Sequence, residues 1–170
     1  MVAAGGVARY VQHKQEPARG RAKGIPMKLA FVIPAYNEEA LIGKCLESVL
    51  AEIKRSGADA DVIVVNNAST DRTGEIARSF SGVRVVDEPK KGLVNARDAG
   101  FAASEGYELV ANIDSDTIVP EGWLDVVLRE FGKHSKLVCL SGPYVYYDMA
   151  MHNRFLSSLF YGLTYLIYIL

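Results

Sequence analysis

The segment Leu109-Val110-Ala111-Asn112-Ile113-Asp114-Ser115-Asp116 carries a mainly apolar run straight into two carboxylates. The run predicts a buried strand. Asp is a poor strand former and is rarely buried unpaired, so the strand should end where the acids begin. Two carboxylates one residue apart at the mouth of a sheet repel each other unless a cation sits there. A hard divalent ion takes one or two carboxylates together with phosphate oxygens. Taken alone, Asp114-Ser115-Asp116 fits either a metal-assisted phosphate site or an Asx turn with solvated acids.

Working outward, Leu29-Ala30-Phe31-Val32-Ile33-Pro34 is a second short apolar run, followed by Ala35-Tyr36-Asn37-Glu38-Glu39. Leu41, Ile42, Cys45, Leu46, Val49, Leu50 and Ile53 then recur at helical spacing, which predicts an amphipathic helix. Asn37 is its expected N-cap and Gly57 its stop. Further strands are predicted at Val62–Val65, Val83–Val86 and Leu137–Leu140, and further helices at about Arg72–Phe80, Leu93–Ser104 and Glu121–Phe131. Strands and helices thus alternate from about Lys28 to Leu140. That is the pattern of a mostly parallel sheet with helices on both faces, in which ligands bind outside the carboxyl ends of the strands. Three polar clusters obey this rule: Pro34 to Glu38, Asn66 to Asp71, and Asp114 to Asp116 each follow a strand directly. Three such loops on one edge favour a site over chance turns.

The blocks Phe31-Val32-Ile33-Pro34-Ala35-Tyr36-Asn37-Glu38-Glu39, Asn66-Asn67-Ala68-Ser69-Thr70-Asp71-Arg72-Thr73, Lys91-Gly92-Leu93-Val94-Asn95-Ala96-Arg97-Asp98-Ala99-Gly100 and Asp114-Ser115-Asp116 occur in this order. Together they resemble the family 2 glycosyltransferases, over roughly Met27 to Tyr147. The resemblance implies an α/β domain of the GT-A (Rossmann-like) type that binds a nucleotide-diphosphate sugar and Mg2+ or Mn2+. It implies that Pro34, Ala35, Tyr36 and Glu38 line the nucleoside pocket. It puts Asn66 and Asn67 at the base, with Asp71 shaping their loop. Lys91 and Arg97 would lie on the diphosphate side, Asp114 would face the ribose or sugar, and Asp116 would bind the metal. On residue type alone, Lys91 fits a solvated loop lysine, Tyr36 fits strand-end packing, and Arg97 fits a helix surface equally well.

The chain departs from the family pattern where many members carry Asp in place of Asn66 or Asn67, so a uracil base is only the favoured one. Asp98 stands where an Asn is common. Family members continue to an acceptor-side half that holds the general base of an inverting transfer. No residue through Leu170 is assigned that role; Asp148 reads as a surface acid. The expectation is therefore a truncated chain or part of a longer enzyme, transferring a sugar to a lipid or glycan acceptor that the sequence does not name. Two alternatives stay open: a non-catalytic nucleotide-sugar-binding remnant, and a nucleotidyltransferase. The second is disfavoured because the Pro34 to Glu39 loop lacks a Gly-rich, basic character.

Composition sets the frame. With 170 residues, one domain is the prior. A 49% hydrophobic content supplies a core, and a formal net charge of -1 gives no general pull toward nucleic acid. Cys45 and Cys139 sit in apolar patterns and read as core, without metal or disulfide spacing. Residues 1–26 hold Arg9, Lys14, Arg19, Arg21 and Lys23 against Glu16. They read as a disordered basic leader without a secretory signal, with Met27 as an alternative start. Residues 27–150 form the expected nucleotide-sugar domain. Within 151–170, the stretch Phe155 to Leu170 carries no charge, yet a bilayer-spanning helix needs about 20 apolar residues. A cut transmembrane helix, an interfacial helix and a helix buried against further chain are all open; membrane contact is favoured. A cytoplasmic position at the inner face of the membrane follows from that.

Overall fold

The computed structural model describes residues 10–13 and 27–141. They form one six-stranded sheet with four helices. In chain order these are β1 (Tyr10–His13), β2 (Leu29–Ala35), α1 (Ile42–Ser56), β3 (Ala60–Asn67), α2 (Thr73–Ser79), β4 (Val83–Glu88), α3 (Leu93–Ala103), β5 (Leu109–Asn112), α4 (Trp123–Lys133) and β6 (Cys139–Leu140). The sheet order is β4-β3-β2-β5-β1-β6. The pairs β4-β3, β3-β2 and β2-β5 are parallel, while β1 runs antiparallel to both β5 and β6. This is a Rossmann-like α/β architecture.

The central strands are buried on both faces, which is why they read as continuous apolar runs rather than alternating ones. One face of the sheet, with Leu29, Phe31, Ile33, Val62, Val64, Leu109 and Ala111, packs under Ile42, Leu46 and Val49 of α1 and Leu124 and Val127 of α4. The other face, with Ala30, Val32, Ile63 and Val110, lies under α3 and the turn after it, where Phe101, Ala103 and Tyr107 close the layer.

The second layer is thin because α3 is built from small residues. A Cβ on Gly100 would be driven into Val32 Cγ1 and would sit 3.3 Å from Val65 Cγ2. Gly100→Ala therefore sets two effects against each other. Helix propensity favours alanine by about 1 kcal/mol. Overpacking against a fully buried, β-branched Val32 costs about 1–3 kcal/mol. The clash wins, because Val32 is fully buried and stiff at its branched Cβ. Chemical denaturation should show a net loss of about 1–2 kcal/mol, largely restored in the Gly100→Ala/Val32→Ala double variant.

Two local expectations are corrected. The segment Tyr10–His13 falls inside the expected disordered leader, yet it forms β1, paired from Tyr10↔Asn112 to His13↔Leu109. An aromatic and a β-branched residue there suit an edge that β5 leaves unpaired. Asn37 does not cap α1. The chain enters the helix through Leu41 with no side-chain cap, and Leu41 and Ile42 donate to the Glu38 carbonyl. Asn37 instead takes a left-handed backbone with φ 54, and its carboxamide turns toward the β3–α2 loop. The sheet is mostly parallel, as expected: β1 alone runs against the others, and β6, antiparallel to β1, runs the same way as β5. Gly57 does end α1, in the left-handed conformation at φ 66, as a glycine stop requires.

α4 is held by a contact that no sequence pattern announces. Glu52 of α1 is 2% exposed. Its carboxylate accepts hydrogen bonds from Gly122 N (3.1 Å) and Leu124 N (2.9 Å) at the start of α4. It also takes both Nε (2.7 Å) and a terminal nitrogen (3.0 Å) of Arg55. The acid thus supplies the N-terminal cap that α4 lacks locally, across 72 residues of sequence.

Candidate functional site

The carboxyl ends of β2, β3 and β5 lie side by side, so their three loops meet. The β2 and β3 loops are stitched together by backbone-to-side-chain hydrogen bonds. Asn37 N donates to Ser69 Oγ (3.2 Å), Glu38 N to Thr73 Oγ1 (2.7 Å) and Glu39 N to Asp71 Oδ2 (3.1 Å). In return, Thr70 N donates to Asn37 Oδ1 (2.8 Å) and Arg72 N to Glu39 Oε2 (3.0 Å). Asp71 also accepts from Thr73 N (3.0 Å) and the Thr73 hydroxyl. Burial works to raise the Asp71 carboxyl, but the hydrogen bonds from Thr73 and Glu39 outweigh it and hold it below its ordinary value. Asp71 is therefore an ionised latch between two loops.

The β5 loop turns back at once: Ile113 N still pairs with Val32 O (3.0 Å), and Thr117 N closes on Asp114 O (3.0 Å). Asp114 and Asp116 are partly exposed, with Ser115 buried between them. Behind this turn, Cys45 of α1 points its thiol at the Asp114 carbonyl (Sγ···O 3.7 Å). Burial, then the negative charge of Asp116, push the Cys45 thiol up to about 12, so it stays protonated and serves as packing. Across the loops, burial and then the charges of Asp116 and Asp71 raise the Glu38 carboxyl above its ordinary value. Glu38, Asp71 and Asp116 thus share one pool of negative potential at the sheet edge.

Among the described residues no three His, Cys, Asp or Glu side chains are grouped to hold a metal by themselves. The donor set here is of the other kind, one or two carboxylates. That fits Mg2+ or Mn2+ completed by phosphate oxygens and water, and it does not fit a closed protein cage.

Tyr36, immediately after β2, is 38% exposed. Lys91 lies against it: Nζ donates to the Tyr36 hydroxyl (2.7 Å) and sits 3.9 Å over the ring centroid. A cation is thereby fixed beside the β2 loop. Arg97 follows in α3 with a partly exposed side chain. Pro34 and Ala35 close β2, with Ala35 2% exposed and Pro34 paired to Val65.

The two asparagines at the end of β3 point in different directions. Asn66 Nδ2 donates to Asp87 Oδ1 (2.8 Å), and Asp87 is also paired with Arg78. Asn67 is 3% exposed and binds the β4–α3 loop. Its Nδ2 donates to Glu88 O (3.2 Å) and Lys90 O (2.8 Å), while Gly92 N donates to its Oδ1 (2.7 Å). The sequence expectation set both amides on a base; the structure commits both Asn67 donors and its oxygen to the protein. Residue type alone could not separate the two positions. The hydrogen-bond demand of the Glu88–Gly92 loop, with Gly92 at φ 137, is the signal that does. Asp148 and Phe155 to Leu170 lie outside the described residues. Among those described, no helix is long and apolar enough to cross a membrane.

A Rossmann-like sheet with acid, amide and lysine loops gathered at one strand end is the arrangement in which open α/β sheets bind their ligands. The chain belongs to glycosyl transferase family 2, whose model matches residues 30–167. Chondroitin synthase of Pasteurella multocida is 31% identical over 120 residues, which cover 68% of this chain and 12% of that protein. The crystal structure of Staphylococcus aureus TarS 1-349 superposes with a TM-score of 0.54 at 26% identity, covering 64% of this chain and 33% of that one. Glucosyl-3-phosphoglycerate synthase from Mycobacterium tuberculosis, solved with Mn2+, uridine diphosphate and phosphoglyceric acid, gives a TM-score of 0.51 at 29% identity. It covers 62% of this chain and 38% of that one. The chain thus spans less than half the length of each of these proteins.

Proposed function

We propose that residues 27–150 are the donor-binding part of a metal-dependent glycosyltransferase that uses a nucleotide-diphosphate sugar, with uridine diphosphate as the carrier. The observation that carries this is the meeting of the β2, β3 and β5 loops. Support comes also from the β4–α3 loop beside them, whose Lys91, held on Tyr36, is an ordered cation on the same sheet edge as Asp114 and Asp116. The uridine diphosphate and Mn2+ held by the mycobacterial synthase support the choice of carrier and metal.

In this reading Pro34, Ala35, Tyr36 and Glu38 bound the nucleoside, Asn66 lies at the base side, and Asp71 keeps their loop in shape. Asp114 meets the ribose or sugar, Asp116 holds Mg2+ or Mn2+, and Lys91 and Arg97 face the diphosphate. A bound divalent ion would supply compensation for the charge that develops on the leaving diphosphate. Lys91 adds a second positive charge that needs no reorganisation, because Tyr36 already holds it. The general base of an inverting transfer is assigned to none of these residues. The uncharged run Phe155 to Leu170 supports a membrane-proximal position on the cytoplasmic side and a lipid-linked or glycan acceptor.

A thermal-shift experiment on the full chain tests this reading. With Mn2+ present and uridine diphosphate at about 100 times its Kd, the native state gains about 2.7 kcal/mol. For a chain of this size that is a rise in Tm of roughly 5–10 °C. The rise should vanish with excess chelator and be smaller with cytidine diphosphate. An equal rise without metal, or none with any nucleoside diphosphate, would contradict the proposal.

A further inference from the structure

Asn67 spends both side-chain donors and its oxygen on one short loop, and two of the peptide groups it holds flank Lys91. Its Nδ2 holds the carbonyls of Glu88 and Lys90, and its Oδ1 holds the N–H of Gly92. The peptide groups on both sides of Lys91 are therefore gripped by one buried amide. The amide can lie only one way round, since a flipped oxygen would face two carbonyl oxygens. The loop has further ties: Lys90 N donates to Glu88 Oε1 (2.7 Å), and Asn95 Nδ2 donates to Lys91 O (3.1 Å). Gly92 adopts φ 137, a conformation open to glycine, and this turns the chain into α3 immediately after Lys91. At the far end of the side chain, Tyr36 takes the ammonium on its hydroxyl and ring.

A lysine ordinarily loses much rotamer freedom when it is fixed on a ligand. Here that ordering is already in place before any ligand arrives. Resting on the donor-site reading above, we infer that Asn67 is a positioning residue for Lys91: it clamps the loop that presents the ammonium to the donor's diphosphate, and it does not read the base. An aspartate at 67 would lose both N–H donors and set a carboxylate against the carbonyls of Glu88 and Lys90. In this chain Asn and Asp are therefore not exchangeable at position 67.

The test compares uridine diphosphate with uridine, each titrated in Mn2+ into the full chain and followed by ligand-detected nuclear magnetic resonance. Asn67→Asp should lower affinity for uridine diphosphate about tenfold, the worth of a charge-assisted hydrogen bond, while leaving affinity for uridine unchanged. In the Asn67→Asp/Lys91→Met double variant the loss should be no greater than in Lys91→Met, because residues acting through one another are not additive. Asn67→Ser, which removes the amide without adding a charge, must show the same pattern and covers the case in which Asn67→Asp does not fold. A parallel loss of uridine affinity, or full additivity with Lys91→Met, would overturn the positioning role and return Asn67 to the base. A wild-type chain that binds neither ligand would overturn the donor site itself.

Discussion

Replacing Asp116 by alanine should reduce Mn2+-dependent affinity for uridine diphosphate about 100-fold, or about 2.8 kcal/mol, while affinity measured with excess chelator does not fall. No three metal-ligating side chains are grouped among the described residues, so a cation here depends on few protein ligands and on the ligand's own phosphates. Where ligands are few, each one matters more. The charge of Asp116 already reaches Glu38 and the Cys45 thiol, where, after burial, it is the largest charge acting on either. Removing it also removes the repulsion that makes this edge hostile to a diphosphate in the absence of metal. For that reason the variant should not lose metal-free binding, and a gain there would fit the same account. A substitution that merely disturbed folding would lower both affinities together. Isothermal titration calorimetry with and without Mn2+ separates the two cases.

The second large effect concerns stability. Glu52→Ala should destabilise the fold by about 3 kcal/mol, the low end of the range for breaking a buried ion pair, and lower Tm by roughly 6–12 °C. The low end applies because Arg55 is about one-third exposed and can return to water or stay with Asp125. The N–H of fully buried Leu124 has no such recourse, and α4 would fray from its first turn. The hydrogen bond from Arg55, then those from Leu124 and Gly122, working against burial, hold the Glu52 carboxyl below its ordinary value of 4.5. A lowered folded-state value means that the stabilisation is complete above about pH 4.5 and is lost as pH falls through that lower value. Wild type should therefore lose stability on acidification below pH 4.5 more steeply than Glu52→Gln. Urea denaturation between pH 3 and pH 7 on the two chains checks the magnitude and the sign together, those limits being set to bracket the carboxylate range. Parallel slopes would show that Glu52 is not the cap of α4.

How much of this was legible follows from the range of the interactions involved. The central strands β2, β3 and β5 were readable because burial on both faces demands apolar runs such as Val62–Val65, and the helices because α1 and α4 each present one apolar face. The strand-end position of Asn66 to Asp71 and of Asp114 to Asp116 followed from topology alone. What could not be read is the partner of each polar side chain. Asn37 looks like a helix cap, yet its amide oxygen takes Thr70 N across 33 residues. Glu52 looks like an ordinary helix acid, yet its carboxylate caps another helix. Asn66 and Asn67 are chemically identical neighbours, and strand alternation sends one to Asp87 and the other under Lys91. β1 escaped because four residues, Tyr10–His13, give too little pattern to outweigh a basic, glycine-containing leader. Its pairing is decided by the edge that β5 offers.

The most direct test of the central claim is crystallographic: diffraction from the full chain grown with uridine diphosphate and Mn2+, with anomalous data collected at a wavelength where manganese scatters. The account predicts one strong manganese peak at coordination distance from the Asp116 carboxylate, with the diphosphate beside it and Lys91 Nζ, still held on Tyr36, within reach of a phosphate oxygen. A nucleotide bound away from the ends of β2, β3 and β5, or manganese with no contact to Asp116, would contradict it.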